Sequence, residues 1–184
     1  MYSTATLQTA VAQLREGGLI AYPTEAVWGL GCDPDDPTAL ARLLALKQRD
    51  PAKGLILVAA SMAQLEPWLA GLELSLRQRL ADSWPGPLTW LVPDNGRSLA
   101  LLRGDHDRVA VRVSDHPGVI ALCEAFGGPL VSTSANRAGE PPARDAATVR
   151  DYFGDAVTIV DGPLGGRPRP SRIRDLCSGE WLRE

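Results

Sequence analysis

Short apolar runs of strand length alternate with helical segments along almost the whole chain, and this alternation limits the fold more than any other feature. Residues 19–22, 55–58, 89–92, 109–113, 130–133 and 157–160 read as strands. Leu7, Val11 and Leu14 recur at helical spacing, and Gly17-Gly18 would end that helix. Asp36-Pro37 reads as an N-cap followed by proline at the first helical position. The helix beyond it carries Leu40, Leu43, Leu44 and Lys47 on one face. Further helices are expected over residues 61–68, 75–84, 116–126 and 145–153. Residues 94–107 are polar and read as a loop. The tail from 163 to 174, rich in Gly, Pro and Arg, reads as loop with at most a short strand. Strands alternating with helices argue for an α/β architecture, and the short connections make some strand pairs antiparallel, so the sheet is mixed.

At 184 residues the chain is long enough to bury a core of its own, and one domain over residues 1–184 is expected. The net charge of −3 excludes an overall basic nucleic-acid binder and leaves room for a local basic patch. Cys32, Cys123 and Cys177 are odd in number and widely spaced, which fits buried thiols in a reducing compartment better than disulfides or zinc. His106 and His116 form no ligand pair, so no metal site is expected. No apolar run reaches about 18 residues, and no basic segment followed by an apolar run stands at the N-terminus. A cytoplasmic protein without a membrane segment is the expectation.

Two segments carry most of the chemistry. Lys47-Gln48-Arg49, with Lys53-Gly54 close behind, concentrates cations at a helix end and leads into the strand at 55–58. Such cations serve a helix dipole in many proteins, so the charge pattern alone leaves a solvated helix end open. Ser132-Thr133-Ser134-Ala135-Asn136 offers hydroxyls and an amide at the end of a buried strand, a usual place to hold phosphate or carboxylate. The same residues also suit a Ser/Thr turn. Thr24-Glu25 follows another strand, where it reads either as a ligand site or as a helix cap with a capping pair. Gly29 and Gly31 beyond it let backbone approach a ligand or another strand. Arg108 and Arg112 point to one face of a strand. Buried there, Arg112 needs an anionic partner, either a structural acid such as Asp115 or a substrate carboxylate. No Gly-x-Gly-x-x-Gly, Walker-type loop or Ser-His-Asp order occurs, so covalent nucleophilic catalysis has no support.

Taken in order, Tyr22-Pro23-Thr24-Glu25, Trp28-Gly29-Leu30-Gly31, Lys47-x-Arg49 with Lys53-Gly54, Trp84-Pro85-Gly86-Pro87-Leu88-Thr89, Val109-Ala110-Val111-Arg112, Ser132-Thr133-Ser134-Ala135-Asn136 and Pro170-Ser171 make one composite pattern. The chain thereby resembles the threonylcarbamoyl-adenylate synthase family, the YrdC/TsaC type. Because it ends at Glu184, it is most similar to the short bacterial members. The resemblance implies a single-domain α/β fold, an open twisted mixed sheet with flanking helices and a large concave face. It implies condensation of L-threonine, bicarbonate or CO2 and ATP to threonylcarbamoyl-AMP and diphosphate. A partner transferase complex would then modify a tRNA adenosine beside the anticodon. It also implies Mg²⁺ accompanying ATP, and RNA as a further partner of the concave face.

Carried over residue by residue, the resemblance assigns Lys47, Arg49, Lys53, Ser134 and Asn136 to ATP, with Lys47, Arg49, Ser134 and Asn136 as the catalytic set. It assigns Thr24, Arg112, Ser132 and Ser171 to threonine. Ala26, Arg172 and Asp50 depart from the commoner pattern. Two other readings stand beside the synthase. One is a non-catalytic module for double-stranded RNA, which the net charge disfavours. The other is a carbamoyl hydrolase or transferase on the same scaffold.

Overall fold

The computed structural model describes residues 2–183; Met1 and Glu184, the two ends of the expected domain, lie outside the described residues. The elements run α1 (Thr4–Arg15), β1 (Ile20–Pro23), β2 (Trp28–Gly31), α2 (Pro37–Lys47), β3 (Ile56–Ala59), α3 (Met62–Leu69), α4 (Leu74–Ser83), β4 (Leu88–Pro93), α5 (Ala100–Arg103), β5 (Arg108–Val113), α6 (Pro117–Phe126), β6 (Leu130–Ser134), α7 (Ala146–Phe153), β7 (Thr158–Ile159), β8 (Arg172–Asp175) and β9 (Trp181–Arg183). The strands form one sheet in the order β7-β1-β2-β6-β3-β5-β4-β8-β9. The β1–β7, β3–β5 and β4–β8 pairs are parallel and the others antiparallel. The mixed α/β sheet expected from the alternation of apolar runs is the one observed.

Helices α1, α2, α6 and α7 begin where a side chain takes orphan backbone N–H groups. Asp36 Oδ1 accepts from Thr38 N and Ala39 N at 2.8 and 3.1 Å, and Pro37 follows as the first helical residue. Asp145 Oδ1 accepts from Thr148 N at 2.8 Å. His116 caps α6 through Nδ1, which accepts from Val119 N at 3.3 Å.

Alternation along the strands divides the core. Leu57, Ala59, Val109, Val111 and Val131 pack with Leu40 and Leu43 of α2 and Leu65 of α3. Val58 and Leu130 pack on the other face with Ala10 and Leu14 of α1 and with Val119 and Leu122 of α6. Helices α1 and α6 cover that second face only in part. Over β3, β5 and β6 the remainder exposes Ile56, Ala110, Arg112 and Ser132 to a cleft.

Three segments differ from the sequence-based reading. Residues 94–107 contain the single-turn helix α5, whose Leu102 is buried and supplies the carbonyl for Leu55 N at 2.8 Å. The tail holds two strands, because β8 completes an edge of β4 and β9 folds back on it. Residues 28–31 form β2, a strand whose glycines hid it from a propensity argument. A Cβ on Gly31 would lie 2.7 Å from Val131 O and 2.9 Å from a ring carbon of Tyr22. Gly31 therefore serves close strand approach here. Gly31→Ala is expected to destabilise the protein by about 1–3 kcal/mol through overpacking. Gly128→Ala, with nothing within 4 Å of the added Cβ, should leave the urea midpoint nearly unchanged in the same experiment.

Candidate active site

Four segments meet in one cleft of about 440 Å³. The β1–β2 turn brings Thr24 and Glu25, the α2–β3 connection brings Arg49 and Lys53, β6 brings Ser132 and Ser134, and the tail brings Arg167, Arg169 and Ser171. Strand β5 provides the floor with Arg108 and Arg112, and Arg183 of β9 closes the far side. The register explains the convergence. Ile56 pairs with Ser132 on one side and with Ala110 on the other, so one row of side chains crosses from the hydroxyl-rich strand to the arginine-bearing one.

The Lys47-Gln48-Arg49 segment splits at its middle residue. Gln48 takes a left-handed conformation with φ of 52° as the C-cap of α2. On one side of that cap the Lys47 ammonium donates to the carbonyls of Ser134 and of Asn136, the latter at 2.7 Å. Lys47 is 3% exposed and does not line the cleft. Burial, with repulsion from Arg49 second, draws its ammonium down to about 8. On the other side Arg49 donates Nε and Nη2 to Gly54 O at 3.1 and 3.0 Å, which leaves Nη1 without a partner among the described residues. Gly54 adopts φ of 61°, and a Cβ there would stand 2.5 Å from Arg103 O, so only glycine lets the loop pass this close. Asp50 is absorbed locally, its Oδ1 accepting from Ala52 N at 3.0 Å.

The hydroxyl-rich segment also divides. Ser132 and Ser134 line the cleft, whereas Asn136 lies behind it. Asn136 Nδ2 donates to the carbonyls of Arg137 and Glu140 at 3.0 and 2.8 Å, and its Oδ1 is buried without a partner.

Arg112 finds an acid the sequence argument had not named as its partner. Its Nη1 donates to Glu25 Oε1 at 2.5 Å, and Ser114 Oγ donates to the same oxygen at 2.6 Å. Asp115, the structural partner considered from sequence, instead accepts from Arg167. The sequence reading of Thr24-Glu25 as a helix cap with a capping pair does not hold, whereas both residues do line the cleft. Thr24 N and Oγ1 both donate to Val27 O, at 3.1 and 2.7 Å, closing a hairpin turn, and Glu25 points to the arginine. Burial opposes ionisation of Glu25, yet Arg112 and Ser114 outweigh it and hold the carboxyl below its usual value. Ser171 Oγ shares a 2.9 Å hydrogen bond with Thr89 Oγ1, and Ser171 O accepts from Arg183 Nε at 2.9 Å.

Arg183 was missed by the sequence argument because nothing in its local pattern separates it from a surface arginine on an edge strand. Its signature is electrostatic. Burial comes first, then repulsion from Arg112 and Arg49, and together they lower its guanidinium below the usual value. Three cations from β9, β5 and the α2–β3 connection thus face one cavity, and Arg183 is repelled by the other two. Acids in the cleft wall are few: Glu25 is engaged by Arg112, and Asp107 pairs with Arg108 at 3.2 Å. Such a cavity favours a polyanionic ligand. Among the described residues no three His, Cys, Asp or Glu side chains gather into a metal site. No helix of the described residues is long and apolar enough to cross a membrane. Cys32 and Cys123 are buried as expected, whereas Cys177, on the turn between β8 and β9, is exposed; burial pushes the Cys123 thiol up to about 12, so neither buried thiol is a poised nucleophile.

The comparisons with known proteins agree with this geometry. A family model for the Sua5, YciO and YrdC proteins, described as Telomere recombination, matches residues 12–184. A protein of Chromohalobacter salexigens named threonylcarbamoyl-AMP synthase is 75% identical over 174 residues, 95% of this chain and 94% of its own. A protein of the same name from Cellvibrio japonicus is 55% identical over 175 residues, 95% of this chain and 93% of its own. Among solved structures, P. abyssi Sua5 complexed with L-threonine superposes with a TM-score of 0.86 at 33% identity. That match covers 96% of this chain and 52% of the P. abyssi chain, so this chain spans about half the length of that relative.

Two outcomes follow from the geometry. Lys47→Ala should cost at least about 1 kcal/mol of folding stability, because it leaves inward carbonyls short of a donor. Arg49→Ala should cost less, since Arg49 reaches only one loop carbonyl; urea melts of the two variants check the order. Glu25, held below its unfolded value of 4.5, contributes stability that is complete above that pH and is lost as the pH falls through the lower folded value. The stability gap between the wild type and Glu25→Gln, measured by denaturant titration, should therefore narrow on acidification below 4.5.

Proposed function

Since the chain belongs to the Sua5/YciO/YrdC family, we propose that its cleft forms threonylcarbamoyl-AMP from ATP and L-threonine. The chain is a threonylcarbamoyl-AMP synthase, an adenylate-forming transferase of the nucleotidyltransferase kind. Bicarbonate, or the CO2 it releases, is the third substrate. The observation that supports this reading most directly is the meeting of Arg49, Arg112 and Arg183 with Ser132 and Ser134 in one cavity.

The amine of threonine captures CO2 as a carbamate, and a carbamate oxygen attacks the α-phosphorus of ATP while diphosphate leaves. Both reactants are anions, so the first task is to neutralise their repulsion. The second is to align them, which can lower a barrier by roughly 7–11 kcal/mol without any protein nucleophile. Arg49 and Lys53 serve the triphosphate, Arg49 through the Nη1 group left over from its bonds to Gly54. Ser134 serves the nucleotide. Arg112, Ser132, Thr24 and Ser171 surround the amino acid, with Arg112 on its carboxylate. Lys47 and Asn136 act from behind the wall: Lys47 holds the carbonyls that fix where Ser134 points, and Asn136 braces the turn that follows. Mg²⁺ would be held by the phosphates of ATP and would neutralise their charge, since among the described residues no cluster of carboxylates lines the cleft. The mixed anhydride product is labile, which suits direct use by a partner transferase acting on tRNA in the cytoplasm.

The test is diphosphate release from ATP. It should require both L-threonine and bicarbonate. ATP breakdown without threonine would favour a carbamoyl hydrolase or transferase, and binding of double-stranded RNA with no turnover a non-catalytic module. Arg49→Ala should remove most of the activity, and Ser134→Ala should raise KM for ATP more than KM for threonine. An equal rise in the two would place Ser134 on the wrong substrate.

A further inference from the structure

Glu25 is buried in the cleft wall at 6% exposure, and its two carboxylate oxygens are engaged unequally by other side chains. Oε1 takes both the Arg112 Nη1 and the Ser114 Oγ bonds. Oε2 receives no bond from another side chain among the described residues; besides Arg112 and Ser114, the carboxylate is met only by the backbone N–H of Glu25 itself. Arg112 is likewise unfinished: its Nε has no partner, and neither does its Nη2 among the described residues. An ion pair meant only to brace the fold would be expected to close on itself, because unpaired polar groups at such a site are costly. This pair instead leaves an anionic acceptor and a cationic donor side by side in the wall.

We infer that Glu25 binds the α-ammonium of the amino-acid substrate through Oε2, while Arg112 beside it takes the α-carboxylate. The inference rests on the synthase reading and adds to it a residue that selects for the amine. A free α-amino acid is a zwitterion whose two charges sit on neighbouring atoms, and the Glu25–Arg112 pair presents the complementary charges on neighbouring side chains. Among the described residues no other acid in the wall is placed for the task, since Asp107 pairs with Arg108, and Asp115 outside the wall pairs with Arg167. The hairpin turn is held in place for it. Glu25 O accepts from Arg167 N at 2.8 Å, and Thr24 O accepts from Gly165 N at 3.0 Å, so the tail straps the turn over the cleft. Gly165 is required there, because a Cβ would stand 2.8 Å from Glu25 Cα. A carboxylate held below its usual value is a weaker base than an ordinary one. Its part is to orient the nitrogen, which still carries an N–H for Oε2 once the carbamate has formed.

The experiment compares L-threonine with β-hydroxybutyrate, which keeps the carboxylate and the side-chain hydroxyl and lacks the amine. Binding to the wild type and to Glu25→Gln is followed by ligand-observed NMR. The wild type should bind threonine at least about tenfold more tightly than the deaminated acid, the scale of one hydrogen bond to a charged group. In Glu25→Gln threonine should weaken about tenfold, while β-hydroxybutyrate stays within about twofold, and the preference disappears. Parallel loss of both ligands would overturn the inference, because Glu25 would then only hold Arg112 in place. A wild type that does not distinguish the two ligands would overturn it as well. Should Glu25→Gln not fold, Glu25→Asp keeps the charge one methylene further back, and threonine should again weaken more than the deaminated acid. Failure of the underlying reading looks different: a wild type that binds neither ligand and releases no diphosphate removes both, whereas intact diphosphate release without amine selectivity removes the Glu25 assignment alone.

Discussion

The ion pair between Glu25 and Arg112 joins a turn near the start of the chain to a central strand 87 residues later. Its two side chains are 8% and 7% exposed, so both charges have given up most of their water. That loss is expensive, and an isosteric apolar pair would often be more stable. The pair earns no place as a stabiliser on those grounds. What it fixes is geometry. With Ser114 as a third member it sets the β1–β2 turn against β5, and the tail then lies across that turn through two backbone hydrogen bonds. Remove the pair and the near wall, the floor and the cover of the cleft lose their common anchor.

An acidic chain can still present a strongly cationic cavity, because the sheet sorts its charges. Arg112 is drawn to the cleft by the alternation of β5, Arg49 by the left-handed cap of α2, and Arg183 by the fold-back of β9. Their acidic counterparts stay mostly outside: Asp36 and Asp145 cap helices, and Asp175 turns its Oδ1 to the backbone N–H groups of Cys177 and Ser178. Net charge is thus a poor guide to what this cavity attracts. The repulsion that Arg183 feels from Arg112 and Arg49 is a better one, because an anion placed among them would relieve it.

Much of this was legible in the residues. Apolar runs and caps such as Asp36-Pro37 placed most of the sheet and helices, since burial and orphan N–H groups leave a periodic imprint. The convergence of Arg49, Lys53, Arg112, Ser132 and Ser134 followed from motifs at strand ends. Three things left no local trace. Strand β2 is written in glycines, which carry no strand propensity and serve here because two neighbouring backbones come too close for a side chain. The partner of Arg112 is set by sheet register, and register cannot be read from one segment: Asp115 is near in sequence, Glu25 is near in space. Arg183 sits on a three-residue edge strand that reaches the cleft only through its antiparallel pairing with β8, which no local pattern records.

The division within Lys47-Gln48-Arg49 shows why adjacency in sequence misleads about shared roles. Two cations one residue apart on an extended strand would share a face, and on a continuing helix they would diverge by roughly 200°. Neither applies. The left-handed Gln48 ends the helix, so Lys47 remains part of α2 and sinks between the sheet and the turn after β6, where carbonyls are its only available partners. Arg49 belongs to the next segment and faces the cavity. A lysine suits the first position because a compact ammonium can satisfy two carbonyls from one point. An arginine suits the second because a planar fork can spend one edge on Gly54 and still offer a donor to a ligand. Exchanging the two residue types would preserve the charge of the segment and spoil both sites, which makes the segment a matter of geometry before it is one of charge.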